Sequence, residues 1–253
     1  MDLGLRGLKA LVTGGGSGIG LAISGRLAAE GADVAICGRT RATLERAAST
    51  LSASGTNICY HCVDVGEADQ VRAWVDDAAA ALGGVDIIVH NASGASGTGE
   101  EAWQRNFRVD LLALTRIVDQ AQKFLEQSQA PSIVALGSTA AIESFSDPAA
   151  SFGALKAALI HHVSGLARNL ASRGIRCNTV SPGPVFFDGG AWDSVRQERP
   201  EHYEAVLATI ARGTMGAAEE VANVVAFLAS PAASLVTGVN LVADGGMTKK
   251  VKF

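Results

Sequence analysis

Three observations predict that this 253-residue chain folds as one doubly wound α/β domain, with a parallel sheet of about seven strands and helices on both faces. Short β-branched runs alternate with amphipathic helical patterns, which is the order that a parallel sheet with crossover helices produces. Ile87, Ile88 and Val89 form a run that is apolar on both sides, as a strand covered on two faces must be. Apolar residues make up 48% of the chain and no linker or repeat divides it, so we expect a single domain over residues 1–253.

The individual elements follow from local patterns. Strands are predicted, in chain order, at residues 10–13, 33–37, 58–63, 87–90, 132–136, 176–180 and 239–242. Between them, apolar residues at helical spacing predict helices; the clearest set is Val71, Trp74, Val75, Ala78 and Leu82, which share one helix face. The same spacing predicts helices over 155–170 and 221–228. The stretch 181–200 shows neither period and is predicted to be the longest loop, which in such folds is often functional.

Charge and hydropathy exclude two classes of protein. The chain has 21 basic and 25 acidic side chains, a net charge of −4, and no basic cluster, which argues against nucleic-acid binding. The longest uncharged run lies between Glu220 and Asp244, but Ser230 and Pro231 interrupt it, so it predicts helix, turn and strand rather than a membrane span. The first residues lead into a glycine-rich segment and not into an apolar signal core, so a cytoplasmic location is expected.

The cysteine pattern does not predict a metal site. Cys59 and Cys62 have C-x-x-C spacing, but on a predicted strand residues three apart point to opposite faces, so the two thiols cannot easily share a metal or a disulfide. No second cysteine pair is present to complete a zinc site. We therefore expect packing cysteines in a reducing compartment.

The segment TGGGSGIG at residues 13–20 follows the first predicted strand and opens the first predicted helix. Its spacing is G-x-x-x-G-x-G, at Gly14, Gly18 and Gly20. Glycines permit a tight turn and close backbone approach, and the helix N-terminus offers unpaired N–H groups and the positive end of the helix dipole to a diphosphate. A turn that binds nothing is the alternative, but the strand–turn–helix context favours a nucleotide site. The loop residues predicted to bind the cofactor are Gly14, Gly16, Ser17, Gly18, Ile19 and Gly20.

The end of the second predicted strand distinguishes the two nicotinamide cofactors. An acidic residue there would accept the ribose hydroxyls of NAD, but this chain has Arg39 and Arg41 in the sequence CGRTR. A guanidinium can bind a 2′-phosphate with two hydrogen bonds, which favours NADP over NAD. The alternative is a solvated arginine pair at the start of a helix.

These motifs and several later ones, in their order and spacing, resemble the short-chain dehydrogenase/reductase family over nearly the full length of the chain. The matching pieces are TGGGSGIG at 13–20, Asp64-Val65, NASG at 91–94, Gly137-Ser138, Lys156, RCNTVSPGP at 176–184 and DGG at 244–246. The resemblance implies a Rossmann-type fold and an oxidoreductase that transfers hydride between a nicotinamide cofactor and a carbonyl, alcohol or activated alkene. It also implies a small-molecule substrate and a dimer or tetramer.

The resemblance further implies roles for individual positions. The residues expected to contact the cofactor are Asp64 and Val65 at the adenine, Asn91 in the cleft, Pro182, Gly183 and Val185 at the nicotinamide, and Lys156 at its ribose. Ser138 would hydrogen-bond the substrate oxygen. Residues around 183–215 would form a substrate lid.

The chain departs from the family pattern at two positions. Phe152 stands four residues before Lys156, where the family has the tyrosine that donates the proton. A phenyl ring can neither donate nor accept a proton, and the loss of a general acid typically costs about 10²–10⁴-fold in rate. Asp110 stands where the family has an asparagine that supports a water relay, and its charge is expected to pair with Lys156.

Several interpretations of these departures remain open at this stage. Asp110, Lys156 and Ser138 could form a different proton relay, or Tyr203 could swing in from the predicted lid. Phe152 could be an inactivating substitution made for structural work. The chain could also bind NADP(H) without turnover, as a sensor or a partner subunit.

Overall fold

The computed structural model describes residues 2–144 and 150–249. Its strands are β1 (Lys9–Thr13), β2 (Asp33–Gly38), β3 (Ile58–Cys62), β4 (Ile87–His90), β5 (Ser132–Leu136), β6 (Arg176–Pro182), β7 (Val185–Phe186), β8 (Gly216–Ala217) and β9 (Asn240–Ala243). Its α-helices are α1 (Gly18–Ala29), α2 (Arg41–Leu51), α3 (Ala68–Leu82), α4 (Gly99–Asn106), α5 (Ala113–Leu125), α6 (Ala150–Leu170), α7 (Ala191–Glu198), α8 (Pro200–Leu207) and α9 (Ala218–Ala229).

Seven of the strands form one parallel sheet in the order β3-β2-β1-β4-β5-β6-β9. The chain builds outward from β1 in one direction and then returns to place β4 on the other side of β1. In open parallel sheets, this reversal creates a crevice at the carboxyl ends of the central strands, where ligands bind. The fold predicted from the sequence, a doubly wound sheet of seven strands, is confirmed.

Two hydrophobic cores cover the two faces of the sheet, because successive residues of each strand point to opposite sides. Leu11, Ile88 and Ile133 pack with α3, α5 and α6 on one face. Val12, Val89 and Val134 pack with α1 and α9 on the other. The apolar positions predicted for α3 are all buried, and their helical spacing is what places them against the sheet.

The stretch 181–200 is more ordered than the predicted loop. Phe186 pairs with Ala217 in the short β7–β8 ladder, and α7 begins at Ala191. Phe186, Trp192 and Tyr203 then pack around Ile210 and Met215 in a third, smaller apolar cluster. The loop expectation was wrong because these contacts, which order the segment, come from residues beyond position 200.

The cysteines differ in their surroundings. Cys37 and Cys177 are buried, as expected of packing residues, whereas Cys62 is exposed and its thiol donates to the carbonyl of Arg39 at 3.2 Å. Cys62 lies at the end of the edge strand β3, where no further strand covers it, so the packing expectation was wrong for this residue. Within residues 2–144 and 150–249, no group of three or more His, Cys, Asp or Glu side chains is arranged to hold a metal ion. No helix in the same part of the chain is long and apolar enough to cross a membrane.

Candidate active site

A cleft of about 1210 Å³ opens at the carboxyl ends of the central strands, where the sheet order reverses. Ten of the residues predicted to bind a cofactor line it: Gly14, Gly16, Ser17, Gly18, Ile19, Gly20, Arg39, Asp64, Val65 and Asn91. They come from four separate segments of the sequence, and the sheet brings them together because parallel strands end at the same edge. The cleft is therefore large enough, and suitably lined, for a dinucleotide.

The glycine-rich loop makes the floor of the cleft from backbone atoms. Gly14 has a positive φ of 65°, which side chains rarely tolerate. A Cβ on Gly20 would lie 2.1 Å from the carbonyl oxygen of Gly14, so only glycine permits this close approach of the turn to α1. Ser17 precedes the helix but makes no side-chain cap. The first amides of α1 therefore lack a side-chain partner, which fits the diphosphate of a nucleotide cofactor.

Thr13 ties the loop to the end of β4. Its Oγ1 accepts hydrogen bonds from the backbone N–H groups of Asn91 and Ala92, both at 3.0 Å. The Asn91 side chain in turn donates to the carbonyls of Thr13 and Gly14, at 3.0 and 3.3 Å. Asn91 thus holds the loop in position in addition to lining the cleft.

Arg39 lies just after β2 and Arg41 begins α2, but the two arginines differ in their partners. Arg41 forms an ion pair with Glu45 at 3.9 Å. The guanidinium of Arg39 takes part in none of the ion pairs among the described residues, and it lines the cleft. It is exposed and available to an anionic ligand.

The structure also places on the cleft a group that sequence reasoning missed. Glu101, Gln104, Arg105 and Arg108 project from α4 and the turn that follows it. Their spacing is i, i+3, i+4 and i+7, so a polar stripe on a helix was readable in the sequence, although nothing in it indicated the cleft. Arg105 is held in place by a hydrogen bond from its Nε to the carbonyl of Gly94 at 2.6 Å.

Lys156 and Asp110 form a buried ion pair at the other end of the site. Lys156 is 2% exposed, and its Nζ lies 3.0 Å from Asp110 Oδ1 and donates to the carbonyl of Leu136 at 2.7 Å. Asp110 Oδ2 accepts from the backbone N–H of Gly94 and from Asn106 Nδ2, at 3.0 and 2.9 Å. The pairing expected from the sequence is present, and Asn106 is a partner that the sequence did not indicate.

The electrostatics of Asp110 follow from these contacts. Burial alone would raise the pKa of its carboxyl, but the Lys156 ammonium and the Gly94 N–H stabilise the charged form and hold the pKa below its ordinary value. Asp110 points inward from a π-helical segment, Phe107–Leu112, that joins α4 to α5. Such segments often lie at functional sites.

His90 connects the ion pair to the glycine-rich loop. Its Nε2 lies 3.2 Å from the carbonyl of Asp110, which can only accept, so Nε2 carries the proton and Nδ1 accepts from the Thr13 hydroxyl at 3.3 Å. Burial, followed by the nearby Lys156 charge, lowers the pKa of His90 to about 4. The ring is therefore neutral near pH 7.

The turn that follows Ser138 packs closely on the start of α6 at a glycine. Ser138 Oγ accepts the backbone N–H of Ala140 at 3.1 Å, which leaves its own proton free to be donated. A Cβ on Gly153 would lie 2.7 Å from the Ala140 carbonyl oxygen, so α6 packs closely on the turn that begins at Ser138. The Lys156 ammonium lies 5.7 Å from the centre of the Phe152 ring.

The residues expected at the nicotinamide lie at the ends of β6 and β7. Pro182 ends β6, Gly183 follows it, and Val185 begins β7. A Cβ on Gly183 would lie 2.9 Å from Asp244 Cβ, so glycine allows this strand end to approach the segment after β9. The cleft lining reaches this side of the site through Phe187, whereas Ser138, Phe152, Lys156, Asp110, Pro182, Gly183 and Val185 lie outside it.

Comparison with known proteins identifies the family. A family model described as enoyl-(acyl carrier protein) reductase matches residues 14–248. The chain is 37% identical over 257 residues to isoepoxydon dehydrogenase patN of Penicillium expansum, covering 100% of this chain and 99% of that protein. It is 31% identical to the 3-oxoacyl-[acyl-carrier-protein] reductase FabG of Escherichia coli, covering 97% and 99%.

Two solved structures extend the likeness to the fold. L-sorbose reductase from Gluconobacter frateurii, complexed with NADPH and L-sorbose, superposes with a TM-score of 0.91 at 27% identity over 99% of this chain and 100% of that one. A short chain dehydrogenase from Burkholderia cenocepacia J2315 in complex with NADP has a TM-score of 0.87 at 34% identity, covering 96% and 98%. The chain therefore belongs to the short-chain dehydrogenase/reductase family of oxidoreductases.

Proposed function

We propose that the protein is an NADP(H)-dependent oxidoreductase that transfers hydride between the nicotinamide and a carbonyl or alcohol, or an activated alkene. The observation that carries the proposal is the cleft over the start of α1. The first amides of α1 have no side-chain cap there, and the Arg39 guanidinium, which has no ion-pair partner among the described residues, lines the same cleft just after β2. Relatives of known activity support it: the Penicillium protein is a dehydrogenase, and the Gluconobacter structure contains NADPH and a sugar substrate.

In this proposal the cofactor runs along the carboxyl edge of the sheet. Asp64 and Val65 contact the adenine, Arg39 binds the 2′-phosphate, and the first amides of α1 bind the diphosphate. Pro182, Gly183 and Val185 flank the nicotinamide, which supplies or accepts the hydride when the cofactor is bound. The absence of an acidic residue at the end of β2 removes the usual contact to NAD and favours NADP.

The proton that accompanies the hydride cannot come from residue 152. We assign Ser138 to orient the substrate oxygen, because its hydroxyl proton is free while its oxygen accepts Ala140 N–H. Lys156 retains a third N–H after its contacts with Asp110 and Leu136, and we assign that donor to the nicotinamide ribose. Asp110 compensates the Lys156 charge and positions it. In the reductive direction the Ser138 hydroxyl gives its proton to the substrate oxygen and then recovers a proton from water, so that Ser138, with Lys156 and Asp110, replaces the family's phenol-based relay.

The segment 183–215 is assigned as the lid over the substrate. Phe186, Trp192 and Tyr203 pack on one another within it, with ring centres 6.4 to 6.5 Å apart. They pack around Ile210, Met215 and Met247, so the cluster also joins the lid to the segment that follows β9. We also retain a homo-oligomer as an expectation for the assembled enzyme.

The test is cofactor binding followed by turnover. Titration of the protein with NADPH and with NADH should show tighter binding of NADPH, and mixtures of NADPH with ketones, diketones, sugars and enoyl thioesters should show NADPH oxidation with at least one of them. Binding without turnover across the panel would favour the silent sensor, to which the phenyl ring beside Lys156 also points. Failure of both nucleotides to bind at millimolar concentration would overturn the proposal.

A further inference from the structure

The ring of Phe187 lies against the residue that opens α1. A Cβ built on Gly18 would lie 2.6 Å from Phe187 Cζ and 2.8 Å from Cε2. Because real Cβ atoms do not approach other atoms so closely, Gly18 is in direct contact with the ring and has no room for a side chain. Phe187 also lines the cleft, so the ring lies on the same side of the loop as the expected cofactor.

A second glycine lies against the same edge of the ring. A Cβ on Gly190 would lie 2.7 Å from Phe187 Cε2 and 2.9 Å from Cζ. Gly190 is buried, and its N–H donates to the Phe187 carbonyl at 3.0 Å, which closes a turn over residues 187–190. The ring edge therefore contacts two residues that offer only backbone.

The turn that carries Phe187 is anchored to α7. Gly189 has a φ of 72°, and its N–H donates to Asp193 Oδ2 at 2.9 Å. Asp193 Oδ1 accepts from Arg196 and Gln197 on the next turn of the helix, at 2.8 and 3.1 Å. These contacts fix the backbone of the turn from which the Phe187 side chain projects, and the turn therefore determines where the ring lies.

This position conflicts with a diphosphate at the start of α1. The amides that lack a side-chain cap belong to the residues directly after Ser17, and the ring lies on the first of these residues. An aromatic ring offers no hydrogen bond to these amides, and a ring this close to Gly18 occupies space beside them that an anion would otherwise use. The adenosine end of the cleft, at Arg39, Asp64 and Val65, is formed by other strands.

We propose that Phe187 is a self-blocking residue, whose ring covers the start of α1 in the free protein and must leave Gly18 before a dinucleotide cofactor binds fully. This inference rests on the proposed function, because it assumes a diphosphate at these amides. Its consequence is that the affinity for the whole cofactor is reduced by the fraction of molecules in which the ring is displaced. Binding of a ligand that reaches only the adenosine end is not reduced.

The adjacent residue provides a matched control. Phe186 is also aromatic and half-buried, but it packs with Tyr203 at 6.4 Å and lies 4.6 Å below the Arg196 guanidinium, within the lid cluster. Its truncation disturbs the lid without removing the ring from Gly18. Comparison of the two variants therefore separates an effect on the cleft from a general loosening of the lid.

The experiment measures NADPH affinity and association rate by quenching of protein fluorescence, in the wild type, Phe187→Ala and Phe186→Ala. Adenosine 2′-phosphate, which has the 2′-phosphate but neither a phosphate at the 5′ position nor a nicotinamide, is titrated in parallel. We expect Phe187→Ala to bind NADPH about tenfold more tightly, through a faster association rate. We expect Phe186→Ala, which loosens the lid but leaves the ring on Gly18, not to share this gain, and the adenosine ligand to bind all three proteins equally.

The adenosine ligand also reports that each variant is folded around the cleft. With that binding intact, an unchanged NADPH affinity in Phe187→Ala would show that the ring does not cover the site. A weaker affinity would show that the ring is a contact of the bound cofactor; either result overturns the inference while leaving the proposed function in place. If neither NADPH nor the adenosine ligand binds the wild type, the proposed function fails, and this inference fails with it.

Discussion

The two ends of the site differ in which groups form them: main-chain groups at one end and side chains at the other. At the nucleotide end, backbone amides, carbonyls and glycines make the floor, and Gly14 and Gly20 approach so closely that no side chain fits between them. At the reactive end, buried polar side chains make the contacts, with Lys156, Asp110 and Asn106 joined in one network. A site formed by main-chain amides and carbonyls keeps its chemistry when most neighbouring residues are substituted. A site formed by side chains changes its chemistry when one of those residues is replaced.

This contrast bears on the two departures that the family resemblance implies. Both of these positions, Phe152 and Asp110, lie next to Lys156 at the reactive end. The phenyl ring of Phe152 offers the ammonium of Lys156 no hydrogen-bonding group, and the carboxylate of Asp110 provides a compensating charge inside the protein. The network around Lys156 is therefore expected to be essential for stability as well as for reactivity.

The largest expected effect is on stability, from Lys156→Met. Removal of the ammonium leaves the Asp110 carboxylate buried without its counter-charge, which typically costs about 3–5 kcal/mol. The matched control is Lys123→Met, because Lys123 pairs with Asp76 at 3.1 Å on the surface, where such a pair contributes about 0–1 kcal/mol. The free energy of unfolding, from urea denaturation, measures both.

Combination of Lys156→Met with Asp110→Asn should recover part of the loss, because the amide oxygen still accepts from Gly94 N–H and no charge remains buried. Equal losses in Lys156→Met and Lys123→Met would contradict the view that the reactive end depends on this buried pair.

The second effect concerns the rate. Phe152→Tyr places a phenol beside Lys156 on the same face of α6, and a positioned general acid typically contributes at least about 100-fold. We expect kcat for carbonyl reduction with NADPH to rise by about that factor. Phe186→Tyr adds the same hydroxyl within the lid cluster and should leave kcat within about twofold of the wild type, since it lies away from Lys156. No gain in Phe152→Tyr would mean that residue 152 does not stand at the point of proton transfer.

Periodicity and turn chemistry were sufficient to predict most of the fold. The strand at 87–90 was placed correctly because it is bounded by turns and apolar on both faces, and the α3 face was readable from its spacing. The segment 181–200 was not, because β7 is only two residues long and depends on a partner at 216–217. Local sequence contains no signal for a pairing across 30 residues.

More of the residues that form the site could be predicted from the sequence at the nucleotide end than at the reactive end. The nucleotide end follows a motif, so the lining residues from Gly14 to Asn91 were named in advance. The network at the reactive end was only partly readable: a charge pair between Asp110 and Lys156 was expected, but the contributions of His90 and Asn106 depend on how the π-helical segment turns Asp110 inward. A single histidine at the end of a strand has no pattern that distinguishes a network member from a packed core residue.

The third effect is a pH dependence of stability that originates at His90. Its pKa is lowered to about 4 in the folded protein and is near 6.5 in the unfolded chain, so below pH 6.5 the unfolded state binds the proton more readily. Stability contributed by neutral His90 is therefore present above pH 6.5 and is lost progressively towards pH 4. Between pH 7 and pH 5 we expect a loss of about 2 kcal/mol from this residue.

The measurement is the free energy of unfolding at pH 7 and pH 5 for the wild type, His90→Asn and His161→Asn. The first variant should lose less stability than the wild type over this interval, and His161→Asn, at an exposed position on α6, should follow the wild type. A pH dependence unaltered in His90→Asn would show that the histidine does not link the loop to the ion pair energetically.

The smallest expected effect is at the nucleotide end, from Arg39→Ala. The side chain is exposed, so a hydrogen bond from its guanidinium to a 2′-phosphate contributes modestly, and we expect NADPH affinity to fall about tenfold while NADH affinity is unchanged. Arg41→Ala is the matched control, because Arg41 is two residues away, equally charged and already paired with Glu45. It should change NADPH affinity by less than about threefold. Equal losses in the two variants would mean that the general positive field attracts the phosphate. A loss confined to Arg39→Ala, and reduced in high salt, would show that even the end built from backbone depends on one side chain for the choice of cofactor.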